Sequence, residues 1–346
     1  MAIRLAPCLA LCCAAHFVVD FACALAVVTL PSLWGLTNHR YYLLVIAYNL
    51  TAFLSQPFWG WLLDRRASYA PGAAAGVLAS GLGVLAAALH PLAGAFVLGC
   101  GNAIFHVGAG ALVYEAAPGK AGGPGLFVAP GGIGIVAGLF TGSRGLLAPL
   151  WLLPLLGVTA LALLRLAPVA ETGEPPAAEK ESLGPLLPAL LFLLLLVVGL
   201  RSFAGFALPA PWKSGGMPAV ALAVFAGKAS GGFLADRMGW RPFCVFMLLG
   251  AAAAGLGHRL FLPAACAALF CIQSTTGITL AAVQSLFPGR PALAFGLPCV
   301  ALVFGAFPFF LPRPAGRISP DLAAVLCLSM ALAAFFALSF LKSKEA

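Results

Sequence analysis

Gly60-Trp-Leu-Leu-Asp64-Arg65 returns later in the chain as Gly232-Phe-Leu-Ala-Asp236-Arg237, at an offset of 236 − 64 = 172 residues. Each copy stands at the end of a long apolar run. A second similarity supports an internal repeat, because Pro118-Gly119-Lys120 aligns with Pro288-Gly289-Arg290 at an offset of 288 − 118 = 170 residues. The register therefore drifts by only two residues, and the sequence predicts two pseudo-symmetric halves.

The composition places this chain in a membrane. Of its 346 residues, 62% are hydrophobic and 8% are charged, whereas a soluble globular chain carries roughly 25% charged residues. So few charges cannot cover a water-facing surface, and we expect the outer surface to face a lipid bilayer. Runs of roughly 20 apolar residues predict an all-α membrane protein with about twelve transmembrane helices, near residues 5–34, 41–63, 70–90, 92–117, 123–142, 147–167, 185–210, 216–235, 241–258, 260–287, 291–312 and 320–341.

One polar stretch divides the apolar runs into two sets of six. Residues 169–184 contain four glutamates and two prolines, which is typical of a linker. We therefore predict an N-terminal half at 1–168, a cytoplasmic linker at 169–184 and a C-terminal half at 185–346. The first apolar run is too long for a signal peptide and predicts a retained span.

The distribution of basic residues predicts the orientation. With the N-terminus inside, eleven Lys and Arg residues fall at inner helix ends and six at outer ends, so we expect a cell-membrane protein with both termini cytoplasmic. The net charge of +9 would suggest nucleic acid in a soluble protein. Here the cations mostly mark membrane topology, and we expect no nucleic-acid partner.

The two Gly-x-Leu-x-Asp-Arg copies resemble the signature loop of the major facilitator superfamily, found there after the second and eighth spans. The resemblance implies two six-helix halves, a midplane cavity and transport by alternating access, in a chain expected to be a monomer. A glycine lets two helices approach closely, and an Asp beside an Arg could lock neighbouring helices by charge pairing. The predicted gating residues are Gly60, Asp64, Arg65, Gly232, Asp236 and Arg237.

The first half is also similar to the fosmidomycin-resistance branch of that superfamily. The similarity rests on His16-x-x-x-Asp20, Gln56-Pro57 and Gly99-x-Gly101-x-x-x-Phe105-His106. In that branch a Pro-Glu pair follows the Phe-His, whereas this chain has Val107-Gly108. A substrate role of the missing carboxylate therefore does not carry over.

His16 and Asp20 are one helical turn apart and share a face of the first span. His16 lies about twelve residues into that span, roughly 18 Å along it and near mid-membrane. An ionisable pair at that depth is a functional-site candidate, here for exchanging a proton, together with His106. Asn102 shares a face with His106 and is a candidate substrate contact. The alternative is a hydrogen-bonded set that only packs helices.

Two cations lie inside spans of the second half. Arg201 lies in the seventh span, and Lys228 in the eighth occupies the repeat position of Gln56, since 228 − 56 = 172. Intramembrane cations favour an anionic substrate, and Arg201, Lys228 and Gln56 are predicted to bind it. The alternatives are that Arg201 snorkels towards the outer interface and that Lys228 pairs with Asp20 or Asp236.

Polar residues and glycines mark two further spans. The tenth span has a broad polar face formed by Gln273, Thr276, Thr279 and Gln284. This face either lines the cavity or holds neighbouring helices together through hydroxyl and amide contacts. In the fifth span, glycines from Gly131 to Gly142 recur at the spacing of close helix contacts, which we expect between the halves.

We expect a proton-coupled secondary transporter that exports a small anionic or amphiphilic solute. A proton-coupled importer or facilitator of an organic-anion metabolite is the second interpretation. A non-transporting receptor or an intramembrane enzyme is a remote third, because there is no nucleophile with a paired base and no extramembrane domain. No spacing typical of metal ligands occurs, and we expect neither a cofactor nor a metal site.

Overall fold

The structure is a computed structural model that describes residues 2–166, 184–212, 215–310 and 318–341. The predicted linker at 169–184 lies outside the described residues except for Gly184. The described residues fold into helices joined by short turns, as the apolar runs predict. The helices are α1 (Ala2–Trp34), α2 (Asn38–Asn49 and Gln56–Arg66), α3 (Tyr69–Leu89), α4 (Pro91–Ala116), α5 (Gly122–Ser143), α6 (Leu153–Leu166), α7 (Leu187–Ala207), α8 (Met217–Met238), α9 (Trp240–Leu256), α10 (Leu262–Ser274 and Thr276–Leu286), α11 (Pro291–Ala306) and α12 (Pro320–Ser339).

The length and composition of these helices confirm the membrane assignment. Within the described ranges, nine helical segments are long and apolar enough to cross a bilayer. The segments of α6 and α9 are apolar but shorter, and α2 is divided into two pieces. Large apolar side chains stand on the surface, including Leu89, Trp151 and Phe304 at 80%, 75% and 70% exposure. Lipid is the solvent that such a surface requires, and each of the roughly twelve predicted runs coincides with a helix among the described residues.

Two helices are interrupted, and both interruptions lie beside predicted site residues. In α2, Leu50–Leu54 form a π-helical turn before Gln56-Pro57, where the proline lacks an amide hydrogen to continue the regular helix. In α10, the helix breaks at Thr275. Such local departures from α-helix are frequent at functional sites.

The described residues divide into two compact units. The first consists of residues 2–116, 130–166 and 289–300, and the second of residues 117–129, 184–288 and 301–341. The first unit therefore holds α1 to α4, α6, most of α5 and the beginning of α11. The second holds α7 to α10, α12, the beginning of α5 and the end of α11.

Small residues bring α3 and α4 into close contact in the first unit. A Cβ added at Gly108 would stand 2.7 Å from the amide nitrogen of Ala73, and one at Gly83 would stand 2.6 Å from that of Leu98. Real Cβ atoms do not come so near a backbone, so the absence of a side chain permits this packing. It fixes the position of α4, which carries Asn102 and His106.

The glycine ridge of α5 packs against α1. A Cβ at Gly134 would stand 2.5 Å from the carbonyl oxygen of Phe17, and one at Gly138 would stand 2.5 Å from that of Phe21. These residues all belong to the first unit. The predicted close contact exists, but the expectation that it joins the two halves was wrong for this part of α5, because glycine spacing does not specify the partner helix.

Candidate functional site

Four predicted residues meet in the first unit. His16 and Asp20 of α1 face Asn102 and His106 of α4, and the exposure of these four residues is 8% or less. Nε2 of His16 lies 3.2 Å from Oδ2 of Asp20 and 2.8 Å from Nε2 of His106. The side-chain amide of Asn102 donates to Oδ1 of Asp20 at 3.0 Å. We call these four residues the His–Asp cluster.

Hydrogen bonds fix the protonation pattern of one histidine in this cluster. Nδ1 of His106 lies 2.8 Å from the backbone carbonyl oxygen of Asn102. A carbonyl only accepts, so Nδ1 carries the hydrogen and donates it. In neutral His106, Nε2 is then an unprotonated acceptor aimed at Nε2 of His16. Proton arrival at this nitrogen would change the charge of the cluster.

Among the described residues, the ion-pair partners of Asp20 are two histidines. Its ion pairs in the part of the chain that the structure describes are with His16 at 3.2 Å and with His106 at 3.7 Å. A buried carboxylate without a fixed cation is costly. The charge of the cluster therefore depends on how many protons its two imidazoles hold.

A glycine of α5 leaves room beside this cluster. A Cβ at Gly131 would stand 2.5 Å from Oδ2 of Asp20 and would also contact Nε2 of His16. At the next residue, Gly132, a Cβ would meet no atom within 4 Å. Gly131 thus has a steric role at the cluster that its neighbour does not share.

Arg201 lies in the second unit and is 3% exposed. Its Nη1 donates to Thr279 Oγ1 at 2.9 Å and to Thr275 Oγ1 at 3.4 Å. Within the described residues, no carboxylate lies within ion-pair distance of Arg201, and no acceptor bonds to its Nε or Nη2. The guanidinium is held inside by α10, so the alternative that it snorkels to the interface was wrong.

The remaining predicted binding residues have separate positions. Gln273 and Thr276 are buried in α10, where the Thr276 hydroxyl donates to Oε1 of Gln273 at 3.2 Å. Lys228 is half-buried on α8 of the second unit. Gln56 is buried in the first unit, where its Nε2 donates to the carbonyl oxygen of Ala52 at 2.9 Å. Its Oε1 is buried without a hydrogen-bond partner among the described residues.

Asp64 binds the beginning of α11. Its two carboxylate oxygens accept from the amides of Ala292 and Leu293 at 3.0 and 2.8 Å, and Oδ1 also accepts from the Tyr69 hydroxyl at 3.0 Å. First-turn amides have no intrahelical partner and carry the positive end of the helix dipole. Gly60 permits the approach, because a Cβ there would stand 2.5 Å from the carbonyl oxygen of Ala292.

Asp236 repeats this arrangement in the second unit. Its oxygens accept from the amides of Ala121 and Gly122 before and at the beginning of α5, both at 2.9 Å, and Oδ1 accepts from the Trp240 indole at 2.9 Å. Gly232 permits this approach, because its Cβ would collide with the backbone of Ala121. The turns before the two bound helices each contain a left-handed glycine, with φ of 67° at Gly119 and 73° at Gly289, a conformation that glycine adopts readily.

The arginines of the repeated pattern do not make the expected ion pairs. Arg65 and Arg237 are exposed, and the guanidinium of Arg65 lies over the Trp61 ring, 4.5 Å from its centroid. No ion pair joins Asp64 or Asp236 to a basic residue among the described residues. Charge pairing between Asp and Arg was therefore the wrong expectation for this structure, since backbone amides satisfy both carboxylates.

Four contributing residues were missed from the sequence. Thr275 lies four residues before Thr279 and therefore shares a helix face with it, so its position beside Thr279 was a usable signal. Tyr69 and Trp240 follow the two aspartates by five and four residues, and an aromatic donor close after each aspartate was a usable signal. Gly131 was noticed within the glycine ridge but not as a neighbour of His16.

The comparisons with known proteins agree with this architecture. A family model described as Major Facilitator Superfamily matches residues 12–296. The chain belongs to this superfamily. Superfamily members are secondary transporters of small molecules in the bilayer, and a transporter rather than an enzyme is what the match supports. No curated protein matches the chain by sequence.

Solved structures of other transporters share the fold at low sequence identity. The fucose:proton symporter FucP of E. coli superimposes with a TM-score of 0.70 at 15% identity, covering 96% of this chain and 98% of its own. The proton:xylose symporter XylE gives 0.63 at 14% identity, with 97% and 96% covered. A bacterial homologue of the iron transporter ferroportin gives 0.61 at 16% identity, with 96% and 98% covered.

Proposed function

We propose that this superfamily member is a proton-coupled transporter that exports a small anionic solute by alternating access. The proposal that the solute is an anion rests on the environment of Arg201. A charged side chain at the centre of a transmembrane helix costs about 2.5–3.5 kcal/mol, and hydroxyl contacts replace only part of its hydration. A guanidinium held inside by two threonines, with no carboxylate beside it in the part of the chain that the structure describes, is suited to receive the negative group of a solute.

The geometry of Arg201 supports a reversible contact with an anion. Both hydroxyl contacts use Nη1, which leaves the donors of Nε and Nη2 for a carboxylate or phosphonate oxygen. Thr275 and Thr279 hold the guanidinium in place before the solute arrives, so little side-chain entropy is lost on binding. Lys228 lies in the same unit, and Gln273 and Thr276 lie on the same helix as the threonines; we assign them to the solute site as well.

Proton coupling is assigned to the His–Asp cluster. Asp20, His16 and His106 form a connected path of ionisable groups, with nitrogen–nitrogen and nitrogen–oxygen distances of 2.8 and 3.2 Å. A proton entering this path can be stored without a large movement, because donor and acceptor already lie within hydrogen-bond reach. Asn102 orients the carboxylate and does not itself change charge.

Asp64 and Asp236 are assigned to the conformational change. Each holds the amides at the beginning of another helix, and these bonds can open when the helices separate. Carboxylate bonds to helix N-terminal amides are strong enough to favour one conformation and weak enough to break in a transport cycle. Gly60 and Gly232 allow the approach, and the exposed Arg65 and Arg237, in the last turns of α2 and α8, are assigned to the same conformational change.

The test is solute-induced proton movement in proteoliposomes that contain a pH-sensitive dye. A panel of organic anions, cations and neutral compounds is added, with fosmidomycin included because of the similarity in the first half. We expect selected anions, and no cation or neutral compound, to drive proton movement that is lost in Asp20→Asn. The anion assignment is refuted if only cations or neutral compounds give a response.

Proton symport into the cell is the second candidate. FucP and XylE are described as proton symporters, and the same groups could couple either direction. The sign of the proton movement separates the two functions. A solute moving with the proton indicates symport, and a solute moving against it indicates antiport.

A further inference from the structure

We propose that His16, Asp20 and His106 form a binding site for a divalent late-transition-metal ion, with Co²⁺ and Zn²⁺ as the probes. One ligand atom from each residue lies within 4.8 Å of the other two. Metal binding is a separate property from solute transport. Only its consequence for transport rests on the proposed proton coupling.

The distances between the three ligand atoms match a coordination shell. Zinc binds imidazole nitrogen and carboxylate oxygen at about 2.0–2.2 Å, and a tetrahedral arrangement places two such ligands about 3.4 Å apart. The two imidazole nitrogens are 2.8 Å apart, Nε2 of His16 is 3.2 Å from Oδ2 of Asp20, and Nε2 of His106 is 3.7 Å from its other oxygen, Oδ1. Since one ligand atom from each residue lies within 4.8 Å of the other two, small movements of the imidazoles and a rotation of the carboxylate would bring the three groups around one ion.

The surroundings of the ligands resemble the outer shell of a metal site. Histidines that bind metals usually donate their other ring hydrogen to a carbonyl or carboxylate, which fixes the ring. His106 does so through Nδ1 to the carbonyl oxygen of Asn102, and the amide of Asn102 holds Asp20. Nε2 of neutral His106 consequently presents its lone pair to the centre of the cluster.

The charge of the cluster favours a cation. Asp20 brings one negative charge, and neither Lys nor Arg pairs with it within the described ranges. A divalent ion would replace the proton as its neutralising charge. Two imidazoles with one carboxylate select zinc, cobalt, nickel, copper or iron over magnesium and calcium, which prefer all-oxygen shells.

Three protein ligands leave a further coordination position open, so the ion would be exchangeable rather than structural. It would occupy the nitrogen and oxygen lone pairs that take the proton in the proposed transport cycle. We therefore expect Zn²⁺ and Co²⁺ to inhibit proton-coupled transport, which follows only if the proposed coupling is right.

The test is Co²⁺ titration of the purified full-length protein in detergent, carrying an affinity tag without histidine. Bound Co²⁺ in a four- or five-coordinate site absorbs visible light more strongly than the hydrated ion, so the spectrum reports the ligands directly. We expect one strong site per chain, weakened by at least about tenfold in Asp20→Asn and in His106→Gln, since even outer-shell changes weaken metal affinity by about 10–100-fold. His90→Gln is the matched control, because His90 is exposed.

The proposal fails if wild-type protein shows no such spectrum, if both cluster variants retain it, or if His90→Gln loses it equally. X-ray absorption of Zn²⁺ bound to wild-type protein gives an answer that needs no variant to fold. Scattering from two imidazoles supports the site, and scattering from one or none overturns it. Transport assays run without metal keep this outcome separate from that of the proposed function.

Discussion

Gly131→Ala should disrupt the His–Asp cluster without changing a charge or removing a hydrogen-bonding group. The added Cβ would stand 2.5 Å from Oδ2 of Asp20, whereas non-bonded atoms are comfortable at about 3.5 Å. The imidazole of His16 lies even nearer to that Cβ, so the imidazole and the carboxylate must both move by about 1 Å. The contact between Asp20 and His16 is 3.2 Å, and a separate displacement of the two groups on that scale would break it.

The cost of this displacement follows from the bond that it removes. A hydrogen bond to a charged group contributes about 1.5–3 kcal/mol, and each 1.4 kcal/mol is about tenfold in rate or affinity. We expect Gly131→Ala to lower the rate of proton-coupled transport by about ten- to a hundredfold. The assay is anion-driven proton movement in proteoliposomes with matched amounts of protein.

Gly132→Ala is the control for this prediction. It makes the same chemical change one residue away, where a Cβ meets nothing within 4 Å. Both variants replace a helical glycine with alanine, which favours the helix by up to about 1 kcal/mol. A loss confined to Gly131→Ala supports the role of the cluster, and equal rates in the two variants would refute the reasoning.

Three further changes test the other assigned groups. Arg201→Lys should raise the solute KM by about tenfold in uptake assays. The ammonium group of lysine lacks the planar, forked donor geometry of the guanidinium that the two threonines position. An unchanged KM would exclude Arg201 from the solute site. Gly60→Ala should slow turnover by about tenfold or more at normal membrane abundance. The added Cβ would collide with the backbone of Ala292 and open the two hydrogen bonds from backbone amides to Asp64, each worth about 1.5 kcal/mol or more. Wild-type turnover in this variant would exclude that contact from the transport cycle. Asp236→Asn should lower thermal stability less than Asp236→Ala. Both variants lose the charge–dipole interaction of about 0.3–1 kcal/mol, but the amide oxygen of asparagine still accepts hydrogen bonds whereas alanine accepts none of the three. Equal melting temperatures would contradict the helix-capping role.

Much of the fold could be predicted because its cause is local. Apolar runs of membrane-spanning length predict helices wherever they occur, and the repeated glycine and aspartate identify equivalent positions in two sequence repeats. The pair of His16 and Asp20 was predictable for the same reason, since residues four apart share a helix face. These features depend on spacing within one helix.

The partners of these residues could not be predicted, because they come from distant parts of the chain. Asp64 binds amides 228 and 229 residues away, and every helix offers such amides without any sequence signal. His106 reaches His16 across 90 residues, through the packing of α1 against α4. Arg201 contacts Thr275 and Thr279 across 74 and 78 residues, and the spacing within α10 does not identify α7 as the partner helix.

The most direct test of the central claim is solute-driven proton flux in proteoliposomes, measured for wild type, Asp20→Asn and Arg201→Gln at matched protein content. The account predicts that an anion moves protons in wild type, that Asp20→Asn abolishes this movement while retaining anion binding, and that Arg201→Gln weakens anion binding. Proton movement that persists in Asp20→Asn, or anion affinity that is unchanged in Arg201→Gln, would contradict the account.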